Sequence, residues 1–420
     1  MAKEVLIVGA GFGGLEAART LADKSGVNVT LLDQRNHHLF QPLLYQVATA
    51  GLNPADIAVP VRAQFSGSRN VDVHLARVTK VDLETKRVSV ANGFNFAWDY
   101  LILACGAQHS YFGHPEWEGF APGLKTLEQA TEIRRRLLLA FESAENEAHP
   151  AAQRPLLTFV VVGGGATGVE LAGAIADISR TVLVRDFRHI DPSTAHVLLL
   201  EAGPRILPAF AEDLSRRAEK DLRALGVEVR TSAAVTRIDA DGVEISGKEH
   251  IAAKSVFWAA GVQAATLGRT LGVELDRAGR VKVNPDLSIP GHRDAFVIGD
   301  MAHVEQPGSD IVPGLAPAAI QEGRAAARNV LASLSGKPRK DFRYFDKGMM
   351  ATIGKHKAIA QTGRFRLAGF VAWWAWLFIH ILYLIGFKNR VVVFAQWVWS
   401  YLFSKRGARL ITQRDWKLPP

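Results

Sequence analysis

The chain carries the same glycine signature twice, and that repetition narrows its fold more than any other feature. "VLIVGAGFGGLEAARTLA" reads as a buried strand, a tight turn and a helix, with Gly9, Gly11 and Gly14 in the G-x-G-x-x-G spacing and Phe12 and Gly13 between them. The first glycine permits the turn, the second lets backbone approach a pyrophosphate, and the third lets the helix lie close to the strand. The positive end of the helix then faces the phosphates. A second strand, "VNVTLLD", ends at Asp33, nineteen residues after Gly14, where a carboxylate holds ribose hydroxyls; Gln34 and Arg35 follow it and are expected to line the same site.

The signature returns in "LTFVVVGGGATGVELAGAIAD", which supplies Gly163, Gly165 and Gly168 with Ala166 and Thr167 opening the helix, and "HVLLLEAG" then supplies Glu201. Thirty-three residues separate Gly168 from Glu201, against a usual gap of about twenty. The intervening "RTVLVRDFRHIDPSTA" is expected to extend the helix and add a loop. An acid at this strand end favours NADH because it repels the 2′-phosphate of NADPH, with Arg205 nearby leaving NADPH as the alternative. Two sites need two dinucleotides. "DAFVIGD", ending at Gly299 and Asp300, resembles the flavoprotein segment whose acid binds the ribityl-phosphate end of FAD. The expected architecture is α/β with two Rossmann-like dinucleotide-binding domains and a C-terminal membrane-associating helical region. The FAD domain is discontinuous, 1–115 and 290–345, with the NADH domain, 116–289, inserted and the helical region covering 346–420.

Charge separates the last part from the rest. The net charge is +9, yet from Lys337 onward sixteen Lys and Arg oppose only Asp341, Asp346 and Asp415, so the tail is basic and the body mildly acidic. Six of the nine tryptophans lie in that tail, as does "GFVAWWAWLFIHILYLIGF", 369–387. Nineteen residues would make a helix of about 29 Å, enough to cross a bilayer. Lys388, Arg390, Lys405, Arg406, Arg409, Arg414 and Lys417 follow with only Asp415 against them, the wrong arrangement for a crossing. The next apolar segment, Val391 to Phe403, is too short to bring them back. The pattern predicts a monotopic anchor on an anionic lipid surface, with one side of the run packed on protein or across a dimer, and no nucleic-acid partner. Truncation before Gly369 is expected to leave both dinucleotide domains folded.

Cys105 is the only cysteine, which excludes an intramolecular disulfide and any Cys-x-x-Cys site, and it reads as a small buried residue at a strand end. His37 and His38 lack further ligands at suitable spacing, so no metal site is expected. The chain opens directly into its first strand, so the body is expected to stay in the cytoplasm, on the cytoplasmic face of the cell membrane.

The arrangement resembles the two-dinucleotide-binding-domain flavoproteins, and the single cysteine sets it apart from their disulfide, peroxide and sulfide branches. "NHHLFQPLLYQVATAGL", "VVVGGGATGVELAG", "EAGPRILP", "WAAGVQA" and "YFDKGMMATIGKHKAIA" together resemble the type II (alternative, non-pumping) NADH:quinone oxidoreductases over essentially the whole chain. The resemblance implies non-covalent FAD, NADH as substrate, a membrane quinone such as ubiquinone or menaquinone as acceptor, a respiratory-chain role and a homodimer. It implies Pro42 and Leu43 along the flavin ring, Gly299, Asp300 and Ala318 at the FAD, Gly261 at the NADH, and Glu170 at the nicotinamide–flavin junction. The family's A-Q-x-A-x-Q motif meets Ala316-Pro317-Ala318-Ala319-Ile320-Gln321, with Pro317 in place of the first glutamine. Gln321 is then the expected quinone contact, and Lys388, where the apolar run ends, is expected to reach toward the quinone entrance, Glu170 or a lipid headgroup. Two rival readings share the dinucleotide motifs: a soluble NADH:ferredoxin-type reductase, which leaves the tail unexplained, and an NADH- and FAD-binding redox sensor without rapid turnover.

Overall fold

The computed structural model describes residues 2–306, 311–403 and 407–412. Two compact units emerge, Met1–Leu39 with Ala58–Gln108 and Val262–Lys347, and Phe40–Ile57 with His109–Gly261 and Gly348–Pro420. In the first, a six-stranded sheet runs Ser288–Ile289, His292–Val297, Tyr100–Leu103, Lys3–Val8, Val27–Asp33, Val71–Leu75. Its strands are parallel except at the Ser288–Ile289 edge. Val5 to Val8 are all buried, the continuous apolar run that a strand covered on both faces requires. Helices Phe12–Leu21 and Ala316–Leu334 pack on each other. Their crossing depends on small residues, because a Cβ on Gly323 would lie 2.2 Å from the Gly13 carbonyl oxygen.

In the second unit a parallel sheet runs Val227–Arg230, His196–Leu200, Thr158–Val162, Ser255–Trp258. The strand leading into the glycine turn is thus flanked by the acid-bearing strand on one side and Ser255–Trp258 on the other. Helix Ala166–Thr181 follows the turn and ends early in the extra stretch, so the helix is hardly extended; the rest of the interval before His196 is the expected loop, with short 3₁₀ turns at Leu183–Arg185 and Pro192–Thr194. An antiparallel meander, Met349–Thr352, Ala358–Thr362, Phe365–Gly369, leads into helices Phe370–Tyr383 and Phe387–Phe403.

The units divide the chain elsewhere than the expected domain boundaries. Phe40–Ile57 falls with the second unit because its short helix, Leu44–Ala48, packs on Leu127–Glu145 and Ala166–Thr181. Residues 262–289 fall with the first, where Val281–Lys282 pairs with Ala302–His303. The apolar run also departs from expectation. It is no single helix: the first segment stops after 14 residues at Tyr383, the chain turns through Gly386 at φ +88°, and a new helix begins at Phe387. Fourteen residues reach about 21 Å, and no helix among the described residues is long and apolar enough to cross a membrane. Lys405, Arg406, Arg414, Asp415, Trp416 and Lys417 lie outside the described residues.

Candidate active site

The first glycine turn closes on its own backbone. Gly9 sits at φ +103°, where a Cβ would lie 2.4 Å from the Ala104 carbonyl oxygen, and a Cβ on Gly14 would lie 1.8 Å from that of Gly9. At Gly11 the nearest atom to an added Cβ is 4.0 Å away, so room remains there. Gly11 caps helix Phe12–Leu21 without a side chain, which leaves the first-turn N–H groups for a ligand. Asp33 holds the turn from one side, accepting the Ala10 N–H at 2.6 Å and the Arg35 N–H at 2.7 Å. His38 holds it from the other, donating Nδ1–H to the Ala10 carbonyl at 2.9 Å, its ring edge-on to Phe12. Burial pulls its pKa down to about 4, so the ring is neutral. Gln34 is exposed, away from these contacts.

Gly299, at φ +68°, donates its N–H to the buried carboxyl of Glu322 at 2.5 Å. Burial pushes Glu322 up to about 7, with that N–H opposing and the neighbouring charge of Asp300 adding to it. Ala318 is buried at the start of Ala316–Leu334, a second helix with no side-chain cap. His38 and Glu322 escaped the sequence reading. The signal for Glu322 was an acid within the small-residue stretch "AAIQEGRAAA".

The second turn repeats the construction. Gly163 lies at φ +110°, a Cβ on Gly168 would come 1.8 Å from the Gly163 carbonyl oxygen, and beside Gly165 nothing lies within 4 Å. Glu201 accepts the Gly164 N–H at 2.6 Å and the Gly203 N–H at 2.7 Å. Gly165 caps the helix that starts with Ala166 and Thr167, again without a side chain. Both cradles therefore offer backbone donors, close approach and free space at one glycine, which fits a pyrophosphate. Arg205 donates to the carbonyls of Pro208 at 2.7 Å and Phe210 at 2.9 Å, bracing its own loop. Gly261, at φ +69°, follows the strand on the side opposite Glu201, with the Phe112 ring against it.

Glu170 stands one turn along helix Ala166–Thr181, accepting the Thr352 N–H at 3.3 Å. Burial pushes its carboxyl up to about 8 against that one bond, so near neutral pH it is mainly protonated and able to donate. The Thr352 hydroxyl lies 3.0 Å from the hydroxyl of Tyr45, two residues after the buried Leu43 and half-buried Pro42.

Two expected site residues are placed differently. Gln321 donates Nε2 to the carbonyls of Pro317 at 3.1 Å and Phe345 at 3.0 Å and accepts the Phe345 N–H at 3.0 Å. Both N–H donors of this amide are thus used within the protein, where it holds the segment that follows its helix. Lys388 is exposed in the first turn of Phe387–Phe403 and pairs with no acid among the described residues, Glu170 included.

The two C-terminal helices divide their apolar side chains between interior and exterior. Ala372, Trp373, Trp376 and Leu377 are buried, whereas Phe370, Val371, Trp374, Phe378 and Leu382 are exposed. On the second helix Val393 and Trp397 face inward while Phe387, Val391, Phe394, Val398 and Trp399 face out. Such a contiguous apolar exterior marks an interaction surface.

A model of the pyridine nucleotide-disulphide oxidoreductase family matches residues 3–323, and one of the NDH2 C-terminal domain matches residues 347–406. The type II NADH:quinone oxidoreductase Ndh of Mycobacterium tuberculosis is 44% identical, covering 98% of this chain and 90% of its own length. The type II NADH:quinone oxidoreductase of Staphylococcus aureus is 29% identical over 87% of this chain and 91% of its own. NDH2 from Plasmodium falciparum, solved with NADH, shares the fold at a TM-score of 0.88 and 20% identity, covering 97% of this chain and 100% of the other. The sulfide:quinone oxidoreductase of Aquifex aeolicus shares it at 0.72 and 19% identity, covering 96% of each chain.

Proposed function

The chain belongs to the type II NADH:quinone oxidoreductase family, and from that premise we propose how its own residues serve the reaction. The activity is oxidation of NADH and reduction of membrane quinone to quinol, without proton pumping. Non-covalent FAD, when bound, supplies the two-electron relay between the two substrates. The observation that carries the reading is the matched pair of cradles, each with its acid on the glycine loop and open room at Gly11 or Gly165.

The first cradle, Gly9 to Gly14 with Asp33 and Arg35, holds the FAD pyrophosphate and ribose. Gly299, Asp300 and Ala318 lie toward its ribityl end. The second, Gly163 to Gly168 with Glu201, holds NADH. Sheet order supports its direction: with adenosine on the Glu201 side, the nicotinamide extends toward Gly261. Glu170 supplies a protonated carboxyl near neutral pH, suited to hydrogen-bonding or protonating a quinone oxygen as it gains electrons.

The exposed apolar faces of Phe370–Tyr383 and Phe387–Phe403 support membrane association in the interface plane, with Lys388 and Arg390 meeting anionic headgroups. The cytoplasmic face and a homodimer complete the proposal. The deciding experiment follows NADH oxidation by the purified yellow protein with a short-chain quinone and with ferredoxin. Rapid turnover with quinone alone, and FAD released by heat, are expected; turnover with ferredoxin alone, slow turnover with both, or FMN in place of FAD would overturn the reading.

A further inference from the structure

A line of hydrogen bonds through Gln46, Tyr45 and Thr352 joins Trp397 of the terminal helix to Glu170, its last link the Thr352 main-chain N–H. Trp397, buried on the inner face of Phe387–Phe403, donates Nε1–H to the Gln46 side-chain oxygen at 2.8 Å. Gln46 donates Nε2 to the Tyr45 hydroxyl at 3.0 Å, and that hydroxyl lies 3.0 Å from the Thr352 hydroxyl. The Thr352 N–H then meets the Glu170 carboxyl. The partners come from the terminal helix, the short helix Leu44–Ala48, the strand Met349–Thr352 and the second glycine helix, all within one compact unit.

The chemistry of the groups fixes the direction of the first two bonds. An indole nitrogen can only donate, so Gln46 must turn its oxygen to Trp397 and its NH₂ to Tyr45. The tyrosine oxygen accepts there and shares a hydrogen bond with the Thr352 hydroxyl, in which either oxygen can donate. Tyr45 and Thr352 are buried, where a hydrogen bond is strengthened by the low dielectric and its loss leaves an unsatisfied partner. The outer face of the same terminal helix is apolar and exposed. One helix therefore touches the outside with Phe394 and Val398 and, through Trp397, the line that ends at Glu170.

Resting on the quinone-reductase reading, we infer that Trp397, Gln46 and Tyr45 are positioning residues through which the seating of the terminal helix sets Thr352 against Glu170 for the quinone half of the reaction. They touch neither substrate by this account. Their work is to keep one N–H aimed at one carboxyl, so a lipid-seated helix and a ready acid are parts of the same arrangement.

The test uses the full-length enzyme in liposomes containing phosphatidylglycerol, with Trp397→Phe, which keeps an aromatic body without the donor, and Gln46→Leu. Four quantities are read: bleaching of the bound chromophore by NADH, turnover with long-chain quinone, membrane partition, and the infrared carbonyl band of protonated Glu170, assigned with Glu170→Gln. Both variants should displace the band and cut quinone turnover about fivefold to tenfold, the effect of one buried hydrogen bond. NADH bleaching and partition should stay as in the parent, and the double variant should lose no more than the worse single one. An unmoved band with unchanged turnover, losses that simply add, or losses that track membrane partition would each overturn the inference. If Trp397→Phe fails to fold, Gln46→Leu decides alone. A parent enzyme inert toward every quinone would instead count against the function proposed above.

Discussion

Glu201 grips the Gly164 N–H at 2.6 Å, the distance at which Asp33 grips that of Ala10. Each acid stands at the end of the strand beside the glycine strand, and each takes a second N–H two residues on, from Gly203 and Arg35. Each acid thus orders its glycine loop, and on the proposed reading it also presents negative charge to a ribose. A loop already in its bound form lowers the ordering cost of binding.

For Glu201 the two jobs separate by substitution. Glu201→Gln keeps one oxygen for an N–H but loses the charge and turns an NH₂ toward the other donor. The NADH-to-NADPH ratio of kcat/KM should narrow by about tenfold, equivalent to about 1.4 kcal/mol. Absolute kcat/KM for NADH should also fall as the loop loosens. Steady-state kinetics with both nucleotides checks this, and an unchanged ratio would place the discriminating acid elsewhere.

The glycines sort into two kinds. Gly14→Ala and Gly168→Ala put a Cβ 1.8 Å from a carbonyl oxygen of the same turn, so helix and strand must part, and the melting temperature should drop by several degrees. Gly165→Ala meets nothing within 4 Å and should melt like the parent while binding NADH at least tenfold more weakly, because the methyl occupies the ligand's approach. Thermal melts paired with NADH titrations read the contrast. Equal affinity in Gly165→Ala would mean that the pyrophosphate does not lie over this loop.

Glu170 supplies the pH dependence. Its carboxyl is raised from an ordinary 4.5 to about 8 by burial. Between those values the folded protein keeps a proton that the unfolded chain has released. Its contribution favours folding at low pH and is lost as pH climbs through that window, at up to about 1.4 kcal/mol per pH unit. Glu170→Gln should therefore flatten the fall in stability between about pH 5 and 8. It should also remove a decline in quinone turnover near pH 8, while NADH still bleaches the chromophore. Melting curves and rates across that range test both effects, and a slope of the same size in the variant would assign the titration to another group.

What the sequence disclosed follows the range of the interactions. Each glycine turn and its helix are built from neighbouring residues, so their spacing revealed them, and each acid was found at the end of the next apolar strand, Glu201 despite its long interval. The Tyr45–Thr352 and Gln46–Trp397 bonds join residues 307 and 351 positions apart, and no local pattern encodes such partners. Gln321 looked free because Phe345, which takes its amide, lies 24 residues on. The break in the apolar run was more accessible: a glycine near its end, Gly386, is the residue suited to the positive φ that turns the chain.

The C-terminal helices give the final prediction. Truncation before Gly369 was expected to leave the rest folded, but Trp376 is only 1% exposed and ranks among the largest fully buried side chains. Its ring stacks on His380 at 4.2 Å and meets Trp397 at 5.4 Å. Removing the helices would also remove the Trp397 bond to Gln46, so truncation takes away a contact to the rest of the unit together with the exposed face. Point changes on opposite faces separate them. Trp376→Ala should cost about 3–5 kcal/mol of stability through the cavity it leaves. Trp374→Ser and Phe378→Ser remove exposed apolar surface, so together they should leave the melting temperature within a degree or two and weaken liposome binding about tenfold or more. Binding by the parent should also weaken with salt, because Lys388 and Arg390 add an electrostatic share. Sedimentation with liposomes at low and high salt, beside thermal melts of the same samples, measures each effect. If the double serine variant bound liposomes like the parent, the exposed face would have a protein partner rather than lipid as its occupant.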